Sequence, residues 1–323
     1  MWPLIKLLPE KTNFRYVALA PVLCTLSLLA CLASLYLTLV PFKPPCGGLN
    51  CGVDFRGGTL IEVSTKPKMV DVGKLREVVG AQNVGDVQVQ AFGDETAAMV
   101  KFETPEGANA SVVADRVKAA VSAAMPGISF ERTEAVGAQV SGELLMKGVI
   151  ALLAGIGLML LYIWFRFGLT FGLGAVIALA HDVLLTFGLF AIFKLEFTLV
   201  AVGSILTIIG YSINDKIVVL DRVRENLRKY KRMPMRDLID LSVNETLSRT
   251  IITGVTGLMA LGVMAFYGGE ALFAFAVAMA FGIVIGTYSS IYVAAPILIL
   301  LGIGKREGAQ AAKASDDSAV QLP

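Results

Sequence analysis

Long apolar runs separated by short polar stretches dominate this chain. Six of them cover residues 16–40, 144–164, 167–193, 197–220, 250–267 and 272–301. A helix rises about 1.5 Å per residue, so roughly 20 apolar residues cross a hydrocarbon layer of about 30 Å. The pattern predicts six transmembrane helices. Lys6, Lys11 and Arg15 precede the first, as in a secretory signal. Its apolar run is longer than the roughly 7–15 residues of a signal core, and no small-x-small cleavage site follows, so an uncleaved anchor is expected.

Between the first and second runs the pattern changes. Alternation in 59–65, with Leu60, Glu62 and Ser64 out of phase with Ile61 and Val63, predicts a strand. Residues 71–80 have helical spacing through Val72, Leu75, Val78 and Val79. Strands follow at 87–92 and 98–103, with a turn at Gly93, Asp94 and Glu95. A second helix spans 111–125, capped by Ser111 and stopped near Gly127, and a last strand covers 128–135. The order β-α-β-β-α-β is that of the ferredoxin-like split motif. The expected fold class is therefore an α-helical membrane protein with one small α+β domain between helices 1 and 2. Its expected parts are an N-terminus (1–15), a first span (16–40), the α+β domain (41–142), a five-helix bundle (143–301) with a basic loop at 221–248, and a disordered tail (302–323).

Composition supports a bilayer protein. Hydrophobic residues make up 55% and charged residues 17%, with mean hydropathy +0.70; soluble domains run at about 45–50% and about 25%. A net charge of +2 argues against nucleic acid as a partner. A single histidine, His181, and four scattered cysteines provide no zinc or iron–sulfur ligand set, and no phosphate-binding Gly-rich loop is followed by Lys-Ser/Thr. No metal or other cofactor and no enzymatic activity are expected.

Basic residues fix the expected orientation. Lys6, Lys11 and Arg15, then Arg166, then Arg222, Arg224, Arg228, Lys229, Lys231, Arg232 and Arg236, then Lys305 and Arg306 fall in alternate connections. The positive-inside rule places these, and both termini, in the cytoplasm, with 41–142 outside. The basic stretch after the fourth span reads as a topology determinant near anionic lipid, the alternative being a specific docking site. The α+β segment carries ten Lys/Arg and twelve Asp/Glu, a soluble mixture. Cys46 and Cys51 lie at its entrance, where either a disulfide or two free thiols is compatible with the short Gly47-Gly48 loop.

Polar residues inside the spans carry the chemistry. A charge at mid-helix costs about 2.5–3.5 kcal/mol on insertion scales, which makes it a functional candidate. Asp182 with His181 falls in the third span, Asp215 in the fourth, and Arg249 at the inner end of the fifth. Ser204, Thr207, Tyr211 and Asp215 recur at helical spacing on one face, and Thr246, Arg249, Thr253 and Thr256 on another. Facing stripes of this kind build a hydrated proton path between Asp215 and Arg249. The alternative is ordinary packing by Ser and Thr, with Arg249 snorkelling to headgroups. His181, Asp182, Tyr211, Asn214 and Thr253 are secondary candidates for relay or for helix packing.

Several motifs carry a resemblance. Residues 52–59, Gly-Val-Asp-Phe-Arg-Gly-Gly-Thr, resemble the Gly-x-Asp-Phe-x-Gly-Gly signature of the SecD/SecF family. Residues 210–226 look like the fourth-helix motif of its SecF branch, and 244–250 are similar to the start of its fifth helix; His181-Asp182 and 286–293 also fit. The resemblance covers nearly the whole chain. It implies the RND superfamily fold and a separate SecD chain, because this one is too short for a fused SecD–SecF. It implies work beside the SecYEG channel, with YajC and YidC as further partners, using the proton gradient to help pull unfolded exported proteins across a bacterial inner membrane. Protons are then the coupling ion. Residue by residue, the family's relay Asp matches Asp215 and its relay Arg matches Arg249, a further Asp coming from SecD. Gly52, Asp54, Phe55, Gly57 and Gly58 take structural roles at a turn and strand entry. Cys51 stands where the family has another residue, so a Cys46–Cys51 bridge would be peculiar to this sequence. Two competing readings remain: half of a small-molecule RND exporter, for which about 100 residues outside the membrane leave little room for a pocket, and a passive translocon scaffold.

Overall fold

The computed structural model describes residues 12–40, 46–92, 94–105 and 107–302. Lys6, Lys11, Lys305 and Arg306, the turn residue Gly93 and nearly all of the expected tail lie outside them. The chain divides into two compact units.

One unit holds Lys43–Ala151 together with Glu196–Leu199. Its elements are β1 (Asn50–Cys51), α2 (Val53–Arg56), β2 (Gly58–Ser64), α3 (Val72–Gly80), β3 (Val87–Phe92), β4 (Asp94–Phe102), α4 (Ala110–Ala124) and β5 (Ser129–Val136), after α1 (Tyr16–Leu39) of the other unit. The sheet runs β3-β4-β2-β5 and is antiparallel throughout. This is the ferredoxin-like strand order. Period-2 positions on the strands and period-3.6 positions on the helices meet in one apolar core: Ile61, Val63, Leu75, Val79, Val89, Ala98, Val100, Phe102, Val113, Val117 and Val121.

Local details differ from the sequence reading. Strand β4 begins at Asp94 rather than 98, because backbone pairing with β2 and β3 carries a stretch that has no apolar alternation. Helix α4 is capped by Asn109, whose side chain accepts the Ser111 N–H at 3.0 Å. Ser111 itself donates to Asn109, so it lies inside the first turn instead of capping it. Asp71 caps α3 by accepting the Lys74 N–H at 2.9 Å.

The other unit contains most of the membrane-helix residues, the second span as far as Ala151 and Leu199 of the fourth belonging to the first unit. Among the described residues six helices are long and apolar enough to cross a membrane: Tyr16–Leu39, Gln139–Gly168, Phe171–Phe193, Leu199–Lys229, Met235–Tyr267 and Leu272–Leu300. The second and third share α5 (Ala138–Phe193), broken at Gly168, whose φ of 70° is a conformation that favours glycine. After β6 (Glu196–Phe197) come α6 (Leu199–Lys229), α7 (Met235–Tyr267) and α8 (Gly269–Ser289), which runs through a π-turn at Ser290–Ala294 into α9 (Ala295–Leu300). The third, fourth and sixth spans are 61%, 50% and 56% buried and form the interior; the second and fifth, at 6% and 11%, lie outside it. The expected loop 221–248 is largely helix. Val223, Asn226, Leu238, Ile239, Ser242, Val243 and Leu247 repeat at three- and four-residue spacing and are buried, so α6 and α7 extend past their apolar windows.

Candidate functional site: two carboxylates in the helix bundle

Asp182, on the third span, is fully buried. Its Oδ1 meets His181 Nδ1 at 2.8 Å. Its Oδ2 accepts from Ser212 Oγ at 2.5 Å, Lys216 Nζ at 2.5 Å and Ser289 Oγ at 3.0 Å. Lys216 is 0% exposed and also donates to Ser212 Oγ. Ser212 and Lys216 are four residues apart on α6 and therefore share a face. Gly286 lets that face approach α8 closely: a Cβ there would stand 3.0 Å from Ser212 Oγ, and at Gly282 it would drive into Ile208. His181 stacks on Tyr288 at 6.1 Å between ring centroids. The result is an ion pair with hydroxyl donors from two helices, the arrangement a dry interior requires for a buried charge.

Asp215 faces a different side of the same helix. Its Oδ1 accepts from Thr250 Oγ1 of α7 at 2.5 Å, and its Oδ2 from Ser290 Oγ at 2.6 Å. It opens on a small cavity lined by Tyr211, Asn214, Val218, Arg249, Thr250, Thr253 and Thr287. Arg249 is exposed, and among the described residues no ion pair within 4 Å joins it to Asp215. The two expected relay residues thus share a cavity without touching, and Thr250 occupies the direct contact. Thr253 turns back to the Arg249 carbonyl at 2.9 Å. The rest of the expected stripes is self-contained: Ser204, Thr207, Thr246 and Thr256 bond carbonyls of their own helices.

Ser289 and Ser290 are adjacent, yet one serves Asp182 and the other Asp215. They stand where α8 passes into the π-turn, a local widening frequent at functional sites. Lys216, absent from the sequence reading, is the residue that completes the first cluster. The rule that marked Asp182 and Asp215 applies equally to a lysine in mid-span; its neighbour Asp215 hid it, because consecutive helical residues point about 100° apart.

A third constellation lies in the α+β unit. Gly52 N–H donates to the Phe197 carbonyl at 3.0 Å, β1 pairs in parallel with β6, and the Phe55 and Phe197 rings lie 5.8 Å apart. Asp54 Oδ2 accepts the Leu199 N–H at 2.9 Å. Gly57 and Gly58, with φ of 76° and 108°, turn the chain from α2 into β2. Cys46 and Cys51 are joined as a disulfide. Among the described residues no three His, Cys, Asp or Glu side chains gather as a metal site would need.

Residues 116–303 match the C-terminal model of the protein export membrane proteins SecD/SecF, and residues 48–69 match the SecD/SecF GG motif. The chain belongs to the SecD/SecF family. It is 44% identical over 312 residues to the protein translocase subunit SecF of Cereibacter sphaeroides, covering 93% of each chain. Against the subunit of the same name from Rhodobacter capsulatus it is 43% identical over 317 residues, covering 94% of this chain and 93% of the other. Against that of Rickettsia bellii the figures are 40% over 304 residues, 94% and 98%. Among solved structures it is similar to SecDF, a translocon-associated membrane protein from Thermus thermophilus, at 32% identity and a TM-score of 0.78 over 91% of this chain. A structure of SecDF in a super-membrane-facing form gives 33% and 0.64 over 94%. This chain spans about two fifths of those SecDF chains, 39% and 40%.

Proposed function

We propose that this chain is the SecF-type subunit of a Sec protein-export machine, working with a SecD-type chain that supplies the remainder of the SecDF assembly. It sits in a bacterial inner membrane with both termini in the cytoplasm and the α+β domain on the periplasmic side. Beside the SecYEG channel, with YajC and YidC as neighbours, it uses the proton gradient to help draw unfolded polypeptides outward.

The observation that carries this reading is Asp215. It is a carboxylate in a membrane helix with two hydroxyl donors, no cation in contact among the described residues, and an arginine across a cavity. A proton arriving at an Asp215 oxygen removes the charge that Thr250 and Ser290 solvate. Both hydroxyls then lose a strong acceptor, and α7 and the π-turn lose their hold on α6. When Arg249 swings inward, its charge favours release of that proton. Each elementary charge crossing the membrane gains about 2.3 kcal/mol per 100 mV, enough to bias such a cycle.

The test is gradient-dependent export of a secretory preprotein into vesicles. Asp215→Asn is expected to abolish the response to the gradient, and Arg249→Met to do the same, whereas Arg249→Lys keeps a charge and retains part of it. Full response in Asp215→Asn would leave the passive-scaffold reading standing.

A further inference from the structure

The helix that carries Asp215 begins with Leu199, and the group that receives the Leu199 N–H comes from far away in sequence. The first four N–H groups of any helix lack partners within it. Here Asp54 Oδ2 takes that of the first residue at 2.9 Å. Glu196–Leu199 belong to the same compact unit as the α+β domain, and three further ties hold them there. These are the two-residue parallel ladder Asn50↔Glu196 and Cys51↔Phe197, the Gly52 N–H to the Phe197 carbonyl, and the Lys101–Glu196 ion pair at 2.9 Å. Gly52 is required for this closeness, since a Cβ there would come within 2.6 Å of Thr198 Cγ2. The fold uses the same device elsewhere: the Val17 N–H, in the first turn of α1, is accepted by Asp240 at 2.9 Å.

We propose that Asp54 is the positioning residue that fixes the start of the relay helix to the α+β domain, so that displacement of α6 at Asp215 is delivered to the domain rather than lost by fraying. Helix α6 is continuous from Leu199 to Lys229, and Asp215 stands 16 residues along it, about 24 Å at 1.5 Å per residue. A helix carries axial displacement over that length only if its end is held. An acceptor at the N-terminus does this, and a negative one complements the helix dipole as well. The functional half of this inference rests on Asp215 being the coupling site; the cap does not.

The experiment uses the full chain with its SecD-type partner in membranes and two readouts. Amide exchange by mass spectrometry over residues 198–204 reads the cap directly, and gradient-dependent preprotein export reads its use. Asp54→Ala should speed exchange of the Leu199 amide about fivefold, the effect of a typical lost cap, and leave residues 215–229 unchanged. Export should fall with it. Asp54→Asn should restore both, because Asn caps as well as Asp. Leu199→Pro gives an independent route that leaves Asp54 in place: proline suits the first helical position but offers no N–H, so export should fall in this variant alone. Adding Asp54→Ala to Leu199→Pro should therefore cost no further export. The proposal is overturned by unchanged exchange in Asp54→Ala, by an Asp54→Asn chain as impaired as Asp54→Ala, or by losses that multiply in the double variant. Asp215→Asn measured alongside keeps the two ideas separate: if it exports normally, the coupling reading fails while the exchange result still judges the cap.

Discussion

In the α+β domain the side chains sealed from solvent are Leu75, Val79, Val100, Val117 and their apolar neighbours, whereas in the helix bundle those sealed as completely include Asp182, Lys216, Thr186, Ser212 and Ser289. The bundle buries apolar groups such as Phe190 and Ile205 beside these, and it also turns many outward: Phe165 is 92% exposed, with Phe266 and Leu300 close behind. Water explains the first pattern, since burying apolar area stabilises by about 25 cal/mol per Å². Lipid removes that driving force between helices, leaving close packing and hydrogen bonds to hold the bundle. One substitution therefore has opposite meanings in the two regions. A lost methylene group destabilises the domain, and a lost charge partner destabilises the bundle.

The largest effect expected from this contrast is at the buried pair. Lys216→Met or Asp182→Asn alone leaves one charge uncompensated in a dry site and should cost about 3–5 kcal/mol in thermal or denaturant unfolding of the purified chain. The double variant, with neither charge, should recover most of that loss. Equal losses in the singles and the double would show that the charges are not the point and would weaken the comparison. Next comes the domain: Leu75→Ala should cost about 2–5 kcal/mol, read from its unfolding transition, because the cavity lies in a well-packed core. An exposed bundle residue of similar size, such as Leu153, should give almost nothing when changed to Ala.

The smallest effect concerns Glu62, on the sheet beside Arg132 at 3.4 Å. Partial burial holds its carboxyl above the usual glutamate value, outweighing the opposing pull of Arg132. A raised folded-state pKa means that the protonated form is favoured by folding. Its contribution is then fully present below the unfolded value and is lost as pH rises through the folded one. A Glu62→Gln domain should lack this slight fall in stability between acid and neutral pH, measurable as a flatter melting-temperature profile.

The domain was legible because water enforces its periodicities: alternation for the strands, three- and four-residue spacing for the helices. Caps were less so. Ser111 and Asn109 are both cap formers, and only the backbone conformation decides that Asn109 fills the role. The six spans followed from length alone, but the ends of α6 and α7 did not, since their polar extensions pair through Val223, Leu238 and Val243 beyond the apolar windows. The intramembrane aspartates were visible as costly residues. Their partners were not, because Lys216, Ser289, Thr250 and Ser290 are chosen by helix rotation and contact between spans. Nothing local in residues 286–294 announces the π-turn that places two neighbouring serines on two different carboxylates.

The proposed function divides the labour between the two carboxylates: Asp182, in contact with Lys216, is structural, and Asp215, held by two hydroxyls, is the group proposed to bind and release a proton. Infrared difference spectroscopy of the membrane-embedded chain, with the pH stepped on one side, follows the protonated carboxyl band directly. The band should appear in the unmodified protein, vanish in Asp215→Asn, and persist in the Asp182→Asn/Lys216→Met double variant. A band that survives in Asp215→Asn and disappears with the Asp182–Lys216 pair would reverse the assignment.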